Sequence, residues 1–540
     1  MKKYIYLFIG LSLLCVVGYK LLSSDNYHPK ALESKIRLPI SEDPSRLDPR
    51  LVRSVIDVSI VKMLFEGLMQ MSPEGKVIPG LAQKITVSGN RKEYTFYLKK
   101  SLWSNGDPVI AQDFVYAWQK SISPEFPSPY AYQLFLIRNG REIKNGDLLP
   151  DALGVKAIDN YTLKVNLVEP APYFLDLLTM PIFSPINQKV EKDHSNAYQT
   201  FDDKHYICNG AFIPYFRRIN EKLVLKKNPY YYRAKDIKYD KVEYYTLSHN
   251  TALELFEKGE LDWIGSPLCS LPIEAIPTLK EQGKLKIRTA SATFLLRFNT
   301  KKVPCDDKRV RQALSYAINR EDIVNYVLQQ GQLPALSITP VSLDVPSIKY
   351  FKDADSFLSR KLFHDYIKDS NFQKDIRPEI TLTYPGMANA DNSAHKVAQS
   401  IQQQWLEIFN IRVNLRALEG KVFFDAIANH DFQVAIGSWF ADISDPVDFL
   451  RIFKHKEDST NNTQWEHPEY INLLNSSDRE KNSKSRLELL QFAEALLMEE
   501  MPIAPIYFYT FAFMENKQLK NVHVSDLGFV DLRYAFFQKE

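Results

Sequence analysis

Trp439-Phe440-Ala441-Asp442 is followed two residues later by Asp445-Pro446. Two carboxylates this close are the residue types that glycoside hydrolysis uses as acid and base. The same pattern also makes an ordinary turn, in which Asp445 caps the helix that starts at Pro446 and Asp442 is a turn residue. Nothing else in the chain supports catalysis. Its 10 histidines are scattered, and there is neither an HExxH metal helix nor a GxSxG nucleophile elbow. Cys15, Cys208, Cys269 and Cys305 include no CxxC spacing, so a zinc site or a dithiol redox pair has no basis. Past Cys15, three cysteines allow at most one intramolecular disulfide, and buried thiols are the plainer reading. The sequence therefore assigns no catalytic residue, no metal ligand and no cofactor, and a hydrolase is the rejected reading.

The elements around these residues alternate between the two hydrophobic periods. Phe432 to Trp439 reads as a strand running into the Asp442 turn, preceded by a strand at Arg412 to Leu415 and a helix from Asn392 to Trp405. Val310, Ala313, Leu314, Ala317 and Ile318 mark a helix opening after Asp306-Asp307, with Arg309, Arg311, Gln312 and Arg320 on its polar face. Another long helix is expected over 485–500. Toward the N-terminus, Ile36 to Ile40 reads as a strand. Ile56, Ile60, Val61, Leu64 and Phe65 give a helix that Gly67 is placed to stop in the left-handed conformation. Between them come strands at 93–98, 162–167 and 222–225 and a helix at 111–121 with Asp113 in its first turn. The mixture defines an α/β class, with no internal repeat.

At 540 residues the chain exceeds what one hydrophobic core supports, roughly 250 to 300 residues, so two or three domains are expected. The 45% hydrophobic, 12% aromatic and 25% charged fractions exclude wholesale disorder and a polytopic membrane protein. Lys+Arg 68 against Asp+Glu 65 leaves a net charge of +3, too even a balance to attract nucleic acid.

The N-terminus departs from this pattern. Lys2 and Lys3 precede an apolar run from Tyr4 to Tyr19, the form of an export signal, so 1–22 is read as a targeting segment and the body as extracytoplasmic, in the periplasm or cell envelope. Ser12-Leu13-Leu14-Cys15 resembles a bacterial lipoprotein processing site, with Leu14 larger than the small residue usual there. Cys15 is the lipidation candidate; an uncleaved anchor or simple cleavage are the alternatives.

A set of segments in order gives the chain a recognisable outline. It comprises Phe65-Glu66-Gly67-Leu68, Trp103-Ser104-Asn105-Gly106-Asp107-Pro108, Asp113-Phe114-Val115-Tyr116-Ala117-Trp118 and Ser128-Pro129-Tyr130-Ala131. It continues with Pro172-Tyr173-Phe174, Asn209-Gly210-Ala211-Phe212, Asn228-Pro229-Tyr230-Tyr231-Tyr232 and the run from Arg309 to Arg320. From residue 36 to the end, the chain resembles the oligopeptide-binding proteins, the large solute-binding proteins of ATP-driven peptide importers (extracellular solute-binding protein family 5).

The resemblance implies a two-lobed, periplasmic-binding-protein-like fold (class II type) with mixed sheets flanked by helices. Domain I would comprise 36–67, 192–293 and 510–540, domain II the insertion 68–191, and domain III 294–509. It also implies a monomer that closes on a short extended peptide and passes it to the permease subunits of the importer. Main-chain groups of Ser438, Trp439 and Phe440 would pair with the peptide backbone, and Asp442 would hold its N-terminal ammonium. Tyr130, the backbone at Val55 and His395 match further ligand-contacting positions. By default Tyr130 would be core packing and His395 a surface or core histidine.

Three departures bear on the ligand. The positions where the family places basic groups for the peptide C-terminus are Ile427 and Ile436 here, with no lysine between Tyr326 and Gln330, and Gly420 replaces an aromatic. They leave open a second reading, in which the scaffold carries a peptide derivative or a metal chelate, or serves surface adhesion or sensing. A fourth departure concerns folding: Ile110 stands where a threonine would cap the helix from 111, a loss of about 1 kcal/mol that Asp113 is placed to offset.

Overall fold

Two 13-residue strands form the spine of the molecule. Lys286–Phe298 and Ile503–Glu515 run antiparallel, from Lys286 opposite Phe513 to Arg297 opposite Ile503. They are the centre of a seven-stranded sheet ordered Trp263–Gly265, Ile503–Glu515, Lys286–Phe298, Val434–Phe440, Ile380–Gly386, Val413–Glu419, with Leu333–Pro334 paired onto Ile503–Glu515. The register slips between Thr289 and Thr293, opposite Thr510 and Phe508. A bulge of this kind bends a strand pair locally. This computed structural model describes residues 34–538 except 195–196, 199–204, 344, 347, 371–377 and 387–392. The targeting segment with Cys15 lies outside the described residues.

Two four-stranded sheets complete the framework. Lys35–Ile40, Lys241–Thr246, Lys222–Lys227 and Phe212–Arg218 form one, its first pair parallel. Ala82–Val87, Glu93–Leu98, Thr162–Asn166 and Val155–Asp159 form the other, drawn wholly from residues 82–166. A large core joins these two sheets, while a second core fills one side of the long sheet with Phe294, Leu296, Leu314, Trp405, Ile436 and Tyr507.

Most of the expected elements form, with bounds shifted by a few residues: Lys35–Ile40, Val55–Leu64, Ala111–Ile122, Ser393–Phe409, Val413–Glu419, Val434–Phe440 and Ser483–Glu500. Three expectations need correction. Helix Val55–Leu64 ends with Phe65 already extended, and Gly67 is not left-handed. Its neighbour Glu66 explains the early stop: the carboxylate accepts Tyr231 and Tyr232 hydroxyls at 2.6 Å each, while Asn209 bonds the Glu66 backbone at both ends. Arg311 and Arg320 do not lie on a solvated face; both are buried, and Arg320 bonds Asp353 and the carbonyls of Ser315, Ile318 and Pro505. The helix itself stops at Tyr316. Finally, the helix after Asp445 begins at Val447, with Pro446 in the cap position; Asp445 still accepts the Val447 N–H at 2.9 Å.

The cap at Ile110 is made as expected from Asp113. Its carboxylate accepts the Ile110 N–H at 3.0 Å and the Trp103 indole N–H at 3.1 Å, and burial pushes its pKa up to about 6. All three described cysteines are buried free thiols.

Candidate functional site

Val434–Phe440 leaves the core and becomes a free edge. Val434 to Ile436 are buried, Gly437 to Trp439 are half-buried and Phe440 is exposed. On one side the strand pairs with Lys286–Phe298 along its whole length, from Val434 opposite Phe298 to Phe440 opposite Ala292. On the other side Ile380–Gly386 pairs only at Val434 and Ala435. Among the described residues, the backbone from Ile436 to Phe440 therefore has one edge without a ladder partner. An unpaired edge is a template for an added extended chain.

Just past that edge lies a buried charged cluster. The Asp442 carboxylate accepts the Tyr132 hydroxyl at 2.8 Å and the Gln133 amide N–H at 2.6 Å, both from across the molecule. Its backbone N–H is held by Asp448 at 2.8 Å, and Asp448 also accepts the Trp439 indole N–H at 3.1 Å. Arg451 bonds Asp448 at 2.6 Å and stands 3.9 Å from Asp442. The one guanidinium is thus committed to Asp448, and two carboxylates against one guanidinium leave a surplus negative charge. Burial, then the neighbouring Asp448, pushes Asp442 up to about 7, against the pull of Arg451 and the two hydrogen bonds. Asp448 is raised by burial too, with Arg451 as its main counterweight.

One further atom is unsatisfied. The Gln133 side chain donates to Asp442, and its carbonyl oxygen is buried with no hydrogen-bond partner. A buried acceptor in that state costs roughly 1–3 kcal/mol until something donates to it. Next to a carboxylate of surplus charge, a group with several N–H donors and a positive charge satisfies both.

The loop bearing these partners is fixed from below. Arg50, fully buried, pairs with Asp48 at 2.8 Å and Glu191 at 2.6 Å, its guanidinium lies over Phe126, and its carbonyl takes the Ser128 hydroxyl at 2.8 Å. Ser128 leads directly into Tyr130 and the helical turn Ala131–Leu136 that carries Tyr132 and Gln133. A cavity of about 410 Å³ adjoins the cluster, lined among others by Tyr132, Gln133, Tyr173 and Arg451.

The structure thus gathers Ser438, Trp439, Phe440 and Asp442. Tyr130 belongs with them: its ring is 6.1 Å from Tyr132, and after burial the charges of Asp442 and Asp448 are what raise its phenol. Val55 opens helix Val55–Leu64, half-buried, two residues from Arg53, whose charge also reaches Tyr130. His395 is not part of the cluster. Its Nδ1 is bonded to the Tyr384 hydroxyl at 2.7 Å, on the helix that packs behind Ile380–Gly386. Asp445 does not pair with Asp442 either; Arg486 holds it through two 2.9 Å bonds. Tyr132, Gln133, Asp448 and Arg451 were not singled out from the sequence, although Asp448 and Arg451 have the i, i+3 spacing of a helical ion pair.

A free strand edge that ends beside a buried acidic cluster is the arrangement of a protein that binds an extended ligand. The sequence model of the bacterial extracellular solute-binding proteins, family 5 Middle, matches residues 76–461, and the chain belongs to this family. It is 35% identical over 518 residues to the oligopeptide-binding protein OppA of Bacillus subtilis, covering 94% of this chain and 93% of that protein. Among solved structures it resembles the murein tripeptide binding protein MppA of Escherichia coli, at 28% identity and TM-score 0.82, covering 94% of this chain and 99% of the other. It is also similar to Haemophilus influenzae OppA in complex with the peptide RPPGFSPFR, at 27% identity and TM-score 0.81, with the same coverage. The matched family and these relatives are binding proteins. No helix among the described residues is long and apolar enough to cross a membrane.

Proposed function

We propose that this protein captures short peptides on the outer side of the cytoplasmic membrane and passes them to the permease of an ABC-type importer. The ligand lies extended along the free edge at Ser438, Trp439 and Phe440, and its N-terminal ammonium binds Asp442. Tyr130 and the backbone at Val55 wall the same end. The protein acts as a monomer, held at the membrane by its N-terminal segment or by a lipid on Cys15. Its lobes are domain I (36–67, 192–293, 510–540) with the insertion 68–191, and domain III (294–509), and they hinge at the strand irregularity between Thr289 and Thr293.

The observation that carries this reading is the Asp442 cluster: a buried carboxylate of surplus charge beside an unsatisfied Gln133 carbonyl. A protonated amine supplies the opposite charge and three donors together. The test is calorimetric titration with a pool of tri- to pentapeptides, free and N-acetylated, against the protein and Asp442→Ala. Binding of the free peptides that is lost by about 2 kcal/mol or more in the variant supports the reading. Equal binding of acetylated peptides, or by the variant, refutes it.

A further inference from the structure

Arg297 lies on Lys286–Phe298, opposite Ala435. Its side chain crosses to the neighbouring residues of the binding strand, where Nη2 donates to the Ser438 carbonyl at 3.3 Å. Gly437 makes this path possible: a Cβ there would collide with the guanidinium. The strand conformation at Gly437 is one any residue can adopt, so the glycine leaves space rather than relieving backbone strain.

Arg297 is the odd member among the enclosed arginines. Arg50, Arg320, Arg451, Arg486 and Arg533 each face a carboxylate, and Arg311, which faces none, is tied to the carbonyls of Cys305, Asp306, Glu500 and Met501. Among the described residues the Arg297 side chain has no ion pair, and the bond to Ser438 is its one hydrogen bond. Burial alone acts on its ionisation, pulling the pKa down to about 10, which leaves it charged at neutral pH. A half-buried cation with no counter-charge is costly unless a partner arrives. No described residue supplies that partner, and the side chain is already laid along the binding strand, bonded to the Ser438 carbonyl.

We propose that Arg297 is the carboxylate-reading residue of the binding site, selecting ligands that carry an anionic group a few residues from their N-terminus. The inference rests on the peptide reading above. Ser438 and Asp442 are four residues apart, at most about 13 Å in extended chain, a span that three or four ligand residues cover. Such a carboxylate comes either from the C-terminus of a tri- or tetrapeptide or from an acidic side chain at positions two to four.

The experiment compares dissociation constants within matched pairs: trialanine and tetra-alanine as free acids or C-terminal amides, and amidated tripeptides with Glu or Gln at position two or three. Wild type is expected to prefer the carboxylate member of at least one series tenfold or more, and the series shows whether the C-terminus or a side chain supplies it. The preference should fall below twofold in Arg297→Gln and survive in Arg297→Lys, each ratio being taken within one protein. Ratios below twofold in wild type for both series overturn the inference even if neither variant folds, and so does a preference unchanged in Arg297→Gln. If the amides bind without such a preference, only the role of Arg297 fails. If no peptide binds in any series, the peptide reading fails and this inference with it.

Discussion

Replacing Asp442 with Asn should make the ligand-free protein more stable while weakening its binding. Burial and Asp448 raise the Asp442 carboxyl from its ordinary 3.8 to about 7, roughly three pH units, which converts to a ceiling of about 4 kcal/mol. Asp448 is raised in the same cluster, so about 2 kcal/mol is the share we assign to Asp442. The sign follows from the direction of the shift. A carboxyl whose folded pKa lies above its unfolded value favours folding when protonated, so its contribution is intact below about pH 4 and is lost as pH rises through about 7. Asn removes the charge while its side-chain oxygen still accepts from Tyr132 and Gln133. Urea unfolding of both proteins at pH 8 and pH 4 should therefore show Asn ahead by about 2 kcal/mol at pH 8 and near parity at pH 4. Peptide affinity of the same variant should drop by about 30-fold or more, the equivalent of about 2 kcal/mol. If Asp442 is instead a turn or capping residue, Asn is neutral or destabilising at both pH values and binding survives. A variant no more stable than wild type at pH 8 refutes the reasoning.

Wild-type peptide binding should strengthen about 50-fold from pH 5 to pH 7, because the carboxyl must shed its proton before it receives an ammonium, and calorimetry in buffers of different ionisation enthalpy should show proton release at pH 6. A flat profile would show that Asp442 is already ionised in the free protein. Tyr132→Phe removes one of the two neutral donors to Asp442 and should weaken binding about tenfold, as read by titration, with a stability loss of about 1 kcal/mol in urea unfolding. Arg50→Met leaves Asp48 and Glu191 buried without their counter-ion and should cost about 3–5 kcal/mol in urea unfolding. Gly210→Ala places a methyl about 2.6 Å from the Leu64 carbonyl and should destabilise by about 1–3 kcal/mol, measured the same way.

The strand and turn that hold Ser438 to Asp442 were legible because Phe432 to Trp439 is largely apolar and ends in turn-forming residues, and the role proposed for Asp442 came from the family pattern around it. The two long strands were not legible. Ile503–Glu515 is buried at nearly every position on both faces and contains Pro505, so it shows no alternation of period two and carries a residue that argues against a strand. The motifs that mark the family are legible one by one, yet only folding shows why several belong together: Glu66, Asn209, Tyr231 and Tyr232 are one hydrogen-bonded cluster. Tyr132 and Gln133 reach Asp442 from more than 300 residues away, a distance at which no spacing rule operates. The helix from Asp307 misled in a different way. Arg311 and Arg320 sit at polar-face positions by period, but both fold inward onto backbone carbonyls, which helical periodicity does not register.

Arg297 and Asp442 pose a joint question, namely why a folded chain keeps two charges it does not fully compensate. Each alone is a loss: Arg297 has no counter-ion among the described residues, and Asp442 shares one guanidinium with Asp448, which takes the closer contact. Arg297 reaches the edge from the neighbouring strand at Ser438, four residues before Asp442, so under the proposal the two opposite charges complement a short zwitterion. On that reading the ligand brings to each end the charge the fold withholds, and its binding is coupled to stability through mass action. Saturating tripeptide should accordingly raise the urea midpoint of wild type more than that of Asp442→Asn, since the variant has already relieved one of the two charges without ligand. An equal shift in both proteins would mean that the cluster is stabilised by the fold alone and that the ligand is held elsewhere.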